Sequence, residues 1–212
     1  MASWFLAWVQ KYIHTVCMQE LNRKQAQALK TRNHLIAVAR KLFGKHGYAD
    51  TATEDIVQAA GVTRGALYHQ FEDKAALFAA VFEDVARDVL VAIEREAEKS
   101  ARAIDALKAG SIAFLEAATN PAIKRIYLID APSVLGWAHW RAVDAKLGMA
   151  SLRAGIEAVL AERRMKKGDA QALTHLLSGG LNELALWVSE DKAARARAHA
   201  LVGQAINALF PE

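Results

Sequence analysis

TATEDIVQAAGVTRGALYHQFEDK, running from Thr51 to Lys74, reads as two short helices hinged on one glycine. Thr51 and Glu54 have the spacing of a capping box, so a helix is expected to start there, to bury Ile56 and Ala60 on one face and to stop at Gly61. Thr63 is the next hydroxyl able to cap a helix, and the segment through Leu67 and Tyr68 reaches Phe71 before Glu72 and Asp73 interrupt it. Residues 52–71 therefore have the layout of a helix-turn-helix, in which the first helix braces the second. A major groove about 12 Å wide admits one α-helix, and the N-terminal residues of the second would reach base edges. Any tight corner between two helices shares this spacing, so the corner alone does not decide the function.

The same helical grammar extends outward. Upstream, Leu35, Ile36, Ala39, Leu42 and Phe43 recur at spacings of three and four, predicting a helix from about Thr31 to His46-Gly47. Downstream, Asp73 can cap a long fourth helix that carries Leu77, Val81, Val85, Val89 and Ile93 at intervals of four and extends to about Ser100. Residues 101–119 continue helically to Asn120-Pro121, where Pro121 suits a first turn, and Asp130-Ala131-Pro132 marks another boundary. A tryptophan-rich helix with Trp137 and Trp140 is expected to bend at Gly148 and to continue to Lys167-Gly168. Two more span about 169–189 and 193–210. With only 12 Gly and 3 Pro in 212 residues, the chain is expected to be all-α, of about nine helices: an N-terminal three-helix part carrying the helix-turn-helix, then a larger helical part.

Net charge is +4, and its location is informative. Residues 1–18 carry +1, residues 19–75 carry +3, and residues 76–212 are neutral, so the excess lies on the segment that would meet a polyanion. A single cysteine, Cys17, rules out an internal disulfide framework and a cysteine-built zinc site, and points to the reducing cytoplasm. The first eighteen residues are apolar but interrupted by Gln10, Lys11 and His14, too short for a membrane span and without a signal-peptide order. Three readings stand for them: an amphipathic partner-binding helix, an extra packed helix, or a mis-assigned start ahead of Met18. The stretch 19–30 reads as a flexible arm.

In detail, the run from Thr51 to Lys74 closely resembles the TetR family of transcriptional repressors. The resemblance covers about residues 29–89: KLFGKHGY at Lys41–Tyr48, Ile56, the Ala60-Gly61-Val62 turn, Gly65, Leu67-Tyr68, Phe71 and Lys74. It implies that Thr63, Arg64, Gly65 and Ala66 open a recognition helix, with Arg64 offering a bidentate fork to guanine. It implies also that Thr51, Thr53, Tyr68, His69 and Lys74 lie against phosphates. Tyr68 reads alternatively as a packed aromatic, and Arg64 as a solvated charge. Several relatives hold a basic residue at the position of Glu54, so the acid here is left with capping. The expected division is an extension at 1–28, a DNA-binding domain at 29–89 and a C-terminal effector and dimerisation domain at 90–212.

Within that C-terminal part, residues 173–188 are apolar nearly all round and need both a core and a partner. A homodimer is expected through Leu177, Leu181, Leu184, Val188, Leu201, Val202, Ala205, Ile206 and Leu209, matching a palindromic operator on double-stranded DNA; burial within one chain is the alternative. The resemblance further implies a small-molecule effector, with Phe114, Tyr127, Leu128, Trp137, Trp140 and Leu152 as walls and His175 and Asn182, with His139 and Glu183, as polar anchors. A cavity of about 300–1,000 Å³ would favour that effector over a protein partner acting on the same fold, as in the nucleoid-occlusion factor. No Gly-x-Ser-x-Gly elbow, phosphate-cradling loop or His-Glu-x-x-His motif occurs, and the seven histidines are scattered, so no catalytic residue, metal or cofactor is expected.

Overall fold

The computed structural model describes the backbone of residues 2–164, 170–191 and 193–211, with side chains from residue 23 onward apart from residue 190. Every regular element among them is helical. The first helix, α1, runs Ala2–His46. With no glycine or proline before Gly44, nothing in the chain breaks it at the expected start near Thr31, and the expected arm at 19–30 is helical. The readings offered for residues 1–18 turn on side chains outside the described residues.

Three short connections then build the corner. Helix α2 spans Thr53–Ala60, α3 Arg64–Gln70 and α4 Lys74–Ala97. Gly61 ends α2 at φ 63° and ψ 31°, a left-handed conformation that favours glycine, and its N–H donates to the Gln58 carbonyl. The Thr63 hydroxyl accepts from the Ala66 N–H at 3.1 Å and the Asp73 carboxylate from the Ala76 N–H at 2.7 Å, so both expected caps are present. The cap on α2 differs from the expected Thr51–Glu54 box. Ala52 is the N-cap residue, and its N–H donates to the Asp55 carboxylate at 3.2 Å, because the Thr51 side chain turns inward and donates to the Gly47 carbonyl at 2.7 Å.

The remaining elements are α5 (Ala103–Ala118), α6 (Pro121–Ile123), a π-helical turn (Lys124–Asp130), α7 (Ala131–Leu135), α8 (Trp137–Lys146), α9 (Gly148–Glu162), α10 (Ala170–Glu190) and α11 (Ala194–Leu209). Asn120 caps α6 with Pro121 in its first turn. The boundary expected at Asp130-Pro132 is a change of register instead. The Ala131 N–H reaches back five residues to the Ile126 carbonyl, and this wider turn takes Pro132, which has no N–H to give, without ending the helical run. Breaks at Gly136 and Leu147 divide the tryptophan-rich region, which raises the nine expected helices to eleven α-helical segments among the described residues. The end expected at Lys167-Gly168 lies outside them.

Two apolar cores hold these elements. The first joins α1, α2, α3 and α4 to the π-turn, α7 and α8, through Leu35, Phe43, Ile56, Leu67, Phe78, Phe82, Ile126, Tyr127 and Trp140. The Phe78 ring lies 5.2 Å from Phe43 and 5.1 Å from Tyr48, both edge-on. Arg40 on α1 pairs with Asp84 and Asp88 on α4 at 2.8 and 2.5 Å. The second core packs α5, α9, α10 and α11 around Leu115, Ile156, Ala185, Ile206 and Phe210. Helix α4 crosses the expected division at residue 89 without interruption.

Candidate nucleic-acid interface and effector cavity

Helix α3 is anchored from below and open above. Leu67 is fully buried, the Arg32 guanidinium donates to the Gln70 carbonyl at 3.0 Å and stacks over Phe71 at 4.3 Å, and a His34 ring nitrogen meets the Ala60 carbonyl at 3.0 Å. These ties from α1 hold both short helices at their C-terminal ends. On the outer side Thr63, Arg64, Gly65, Tyr68 and His69 are exposed, and Ala66 and Thr53 are half-buried. Tyr68 thus stands outside the packed-aromatic reading. Arg64 is not a free charge: it pairs with Glu54 at 2.9 Å and lies over the Tyr68 ring at 5.5 Å. Glu54 therefore does not cap α2 and instead holds the fork that would face guanine; an exposed pair of this kind is worth only about 0–1 kcal/mol, so a phosphate or base edge can displace it. Lys74 is half-buried with its ammonium 4.2 Å over the Tyr48 ring. Thr51 leaves the expected phosphate-facing set, being 2 % exposed with its hydroxyl held by Gly47.

A cavity of about 120 Å³ lies between α4, α5, the π-turn, α8, α9 and α10. Of the expected walls, Phe114, Tyr127 and Leu152 line it, and of the expected polar anchors, Asn182. Leu128 lines a separate small void with Val89 and Ile123. Trp137 is 65 % exposed, lying outside Trp140 with ring centroids 4.8 Å apart, so it forms no wall. Trp140 is buried, but its indole N–H donates to the Tyr127 carbonyl at 2.9 Å, which makes it a prop behind the cavity. His175 is exposed and meets Arg141 at 3.2 Å, and His139 and Glu183 are exposed. With Trp137 outside and Trp140 packed in the first core, the space is smaller than the expected 300–1,000 Å³.

Sequence reasoning missed Asp144. It is 5 % exposed and lines the cavity, accepting from the Tyr127 hydroxyl at 3.0 Å and from Arg141 at 2.8 Å. Burial pushes its carboxyl above the ordinary range, against the Tyr127 hydrogen bond and the Arg141 charge; burial, with the Asp144 charge behind it, holds the Tyr127 phenol well above its usual value. The Arg141–Asp144 spacing of three with a glycine four residues on was the available signal.

The cavity is joined to the corner by α4, which follows α3 and lines the space with Val89 and Ile93, and by the π-turn. Tyr127 belongs to the π-turn, whose Arg125 donates to the Lys45 carbonyl at 3.3 Å and whose Asp130 accepts the Tyr48 N–H at 2.9 Å. These two bonds tie the π-turn to the end of α1, next to the helix-turn-helix.

On α10 and α11, Leu181, Val188, Val202 and Ile206 are buried in the chain's own second core, which removes them from the expected dimer interface. Helix periodicity explains this: they face inward, while Leu176 (61 %), Trp187 (37 %) and Leu201 (48 %) face outward with Gly179 and Gly180. Leu177, Leu184, Ala205 and Leu209 are half-buried between the two faces.

Comparison with known proteins agrees with this layout. Residues 35–81 match the family described as "Bacterial regulatory proteins, tetR family", and residues 104–211 match "Tetracyclin repressor-like, C-terminal domain". A TetR-family transcriptional regulator from Pectobacterium atrosepticum superposes with a TM-score of 0.75 at 33 % identity, over 88 % of this chain and 97 % of that one. The HTH-type transcriptional regulator AcrR of Shigella flexneri is 43 % identical over 61 residues, 29 % of this chain and 28 % of its own length. The probable acrEF/envCD operon repressor of Escherichia coli K12 is 52 % identical over 56 residues, 26 % of each chain. The chain thus spans little more than a quarter of the length of these two curated relatives. No helix among the described residues is long and apolar enough to cross a membrane.

Proposed function

We propose, because this chain belongs to the TetR family of bacterial regulatory proteins, that it is a sequence-specific DNA-binding repressor, acting as a homodimer and released from a palindromic operator by a small apolar or amphipathic ligand. The observation that carries the reading is the exposed N-terminal face of α3, with Thr63, Arg64, Gly65 and Tyr68 turned outward from a buried Leu67. Residues 29–89 form the reading part, Thr53, His69 and Lys74 position it on phosphates, and Arg64 reads a base. The outward apolar faces of α10 and α11 meet those of a second copy, giving two α3 helices to two half-sites.

Ligand in the cavity acts through Tyr127. By favouring a position of the π-turn that suits one spacing of the two α3 helices, it shifts the population away from the DNA-binding state, and about 1–3 kcal/mol of differential binding gives a 5- to 150-fold effect.

Gel shifts with the DNA flanking the protein's own gene test the reading. Affinity should fall by about 10³–10⁵ between 50 and 200 mM salt for a dimer making about six to ten phosphate contacts. Arg64→Ala should cost about 1–3 kcal/mol and relax selectivity at one or two positions, while Lys74→Ala should weaken all sequences alike. Salt-independent binding, or the same profile for both variants, would contradict the assignment.

A further inference from the structure

We infer that the cavity takes a small uncharged phenol, a single aromatic ring whose hydroxyl donates to the Asp144 carboxylate at the edge left open by Gly148. This rests on the effector reading only for its regulatory consequence; the chemical preference follows from the cavity itself.

Size comes first. At about 120 Å³ the space is close to the roughly 150 Å³ apolar cavity that accommodates benzene in another protein, so one ring fits within it. The walls suit that ring: Val89 and Ile93 from α4, Leu107 and Phe114 from α5, Leu152 from α9 and Leu181 from α10 are apolar. Such walls give affinity without orientation.

Orientation comes from one polar corner. Asp144 Oδ1 accepts the Tyr127 hydroxyl and Oδ2 accepts Arg141, which leaves lone pairs on a carboxylate that can take two donors on each oxygen. A Cβ at residue 148 would stand 3.1 Å from Oδ1 and 3.7 Å from the Tyr127 hydroxyl, so glycine there keeps the Oδ1 edge clear on the cavity side. A ligand hydroxyl entering at that edge makes a charge-assisted hydrogen bond. Ser111 donates its own proton to the Leu107 carbonyl and keeps its lone pairs for a donor, while Ser151, Ser178 and Asn182 add two hydroxyls and an amide to the lining.

Charge excludes the alternatives. No Lys, Arg or His is among the described residues lining the space, and Arg141, the cation nearest the polar corner, is already engaged by Asp144 and Ser178. A carboxylate ligand would enter with no cation to meet it. A cationic ligand would find the Asp144 charge already compensated and would lose its hydration for little return. The neutral donor is the form for which no ionic desolvation is left unmatched.

Titration calorimetry of the full chain without DNA, using phenol, toluene, benzoate and benzylammonium, tests this. Phenol should bind about 10- to 100-fold more tightly than the nearly isosteric toluene, the difference a hydrogen bond to a charged group makes, with benzoate and benzylammonium at least tenfold weaker than phenol. In Asp144→Asn and, independently, in Gly148→Ala, the preference for phenol over toluene should shrink to within about threefold. Circular dichroism reports whether each variant is folded, and Gly148→Ala serves if Asp144→Asn is not. Phenol and toluene binding alike to the native chain, either ion binding as tightly as phenol, or an undiminished phenol preference in a folded Gly148→Ala chain would overturn the inference. The same phenol is then added to the protein–DNA complex: a chain that prefers phenol but keeps its DNA supports the cavity chemistry and overturns the effector reading alone.

Discussion

Phe78→Ala is expected to lower the stability of the chain by about 3–5 kcal/mol, as large aromatic truncations in a closed core do. The ring is fully buried, sits edge-on to both Phe43 and Tyr48, and is where α4 meets the end of α1. Phe43 lies on α1, which Arg40 ties to α4 through Asp84 and Asp88, so the walls of the resulting void cannot close cheaply. Against a total of about 5–15 kcal/mol for an ordinary domain, that loss is a large share. Urea unfolding measures it, and Phe78→Leu, which keeps most of the volume, should cost less than half as much. A loss below about 1 kcal/mol for alanine would mean that this junction is not closely packed in solution.

Leu201→Glu should leave the fold intact and separate the two subunits. The residue is 48 % exposed on α11, and a surface substitution of this kind changes chain stability by about 0.5 kcal/mol or less. In the proposed dimer the same position is covered by the partner, where an unpaired carboxylate is costly. Sedimentation should report a folded monomer, and operator affinity should fall by about 10²–10⁴ because the second half-site is no longer tethered. Val202→Glu, one residue on and 5 % exposed, should instead unfold the chain, since it puts the charge into its own core. A Leu201→Glu protein that stays dimeric would place the interface elsewhere.

The corner was legible in the sequence because its determinants are local. Gly61, Thr63 and Asp73 act on backbone groups within three residues, and residue type nearly dictates such roles. The α2 cap slipped by one residue for a tertiary reason: Glu54 and Asp55 both offer a carboxylate, and the choice between them depends on Thr51 turning toward Gly47. The Glu54–Arg64 pair was likewise hidden, since it crosses from α2 to α3. In the C-terminal part, spacing identified apolar stripes but not which stripe meets the chain's own core, hence the inward positions of Leu181, Val188, Val202 and Ile206. Trp137 and Trp140 share a helical face and their rings meet with centroids 4.8 Å apart, yet Trp137 is the outer of the two and largely in solvent while Trp140 is buried behind the cavity. Nothing local beyond its spacing from Arg141 marks Asp144 in the sequence, and only the approach of Tyr127 from the π-turn makes it a wall of the cavity.

The first core does not end where the reading part does. Ile126, Tyr127, Ala131 and Trp140 close over Phe43, Phe78 and Phe82, so the apolar interior of the helix-turn-helix part is shared with the C-terminal half. A fragment cut after residue 89 would carry a bare greasy flank and clump rather than work as a constitutive switch, and heating the intact chain should give one calorimetric peak instead of two. The helix-turn-helix part and the part that holds the cavity are, in that sense, one melting unit.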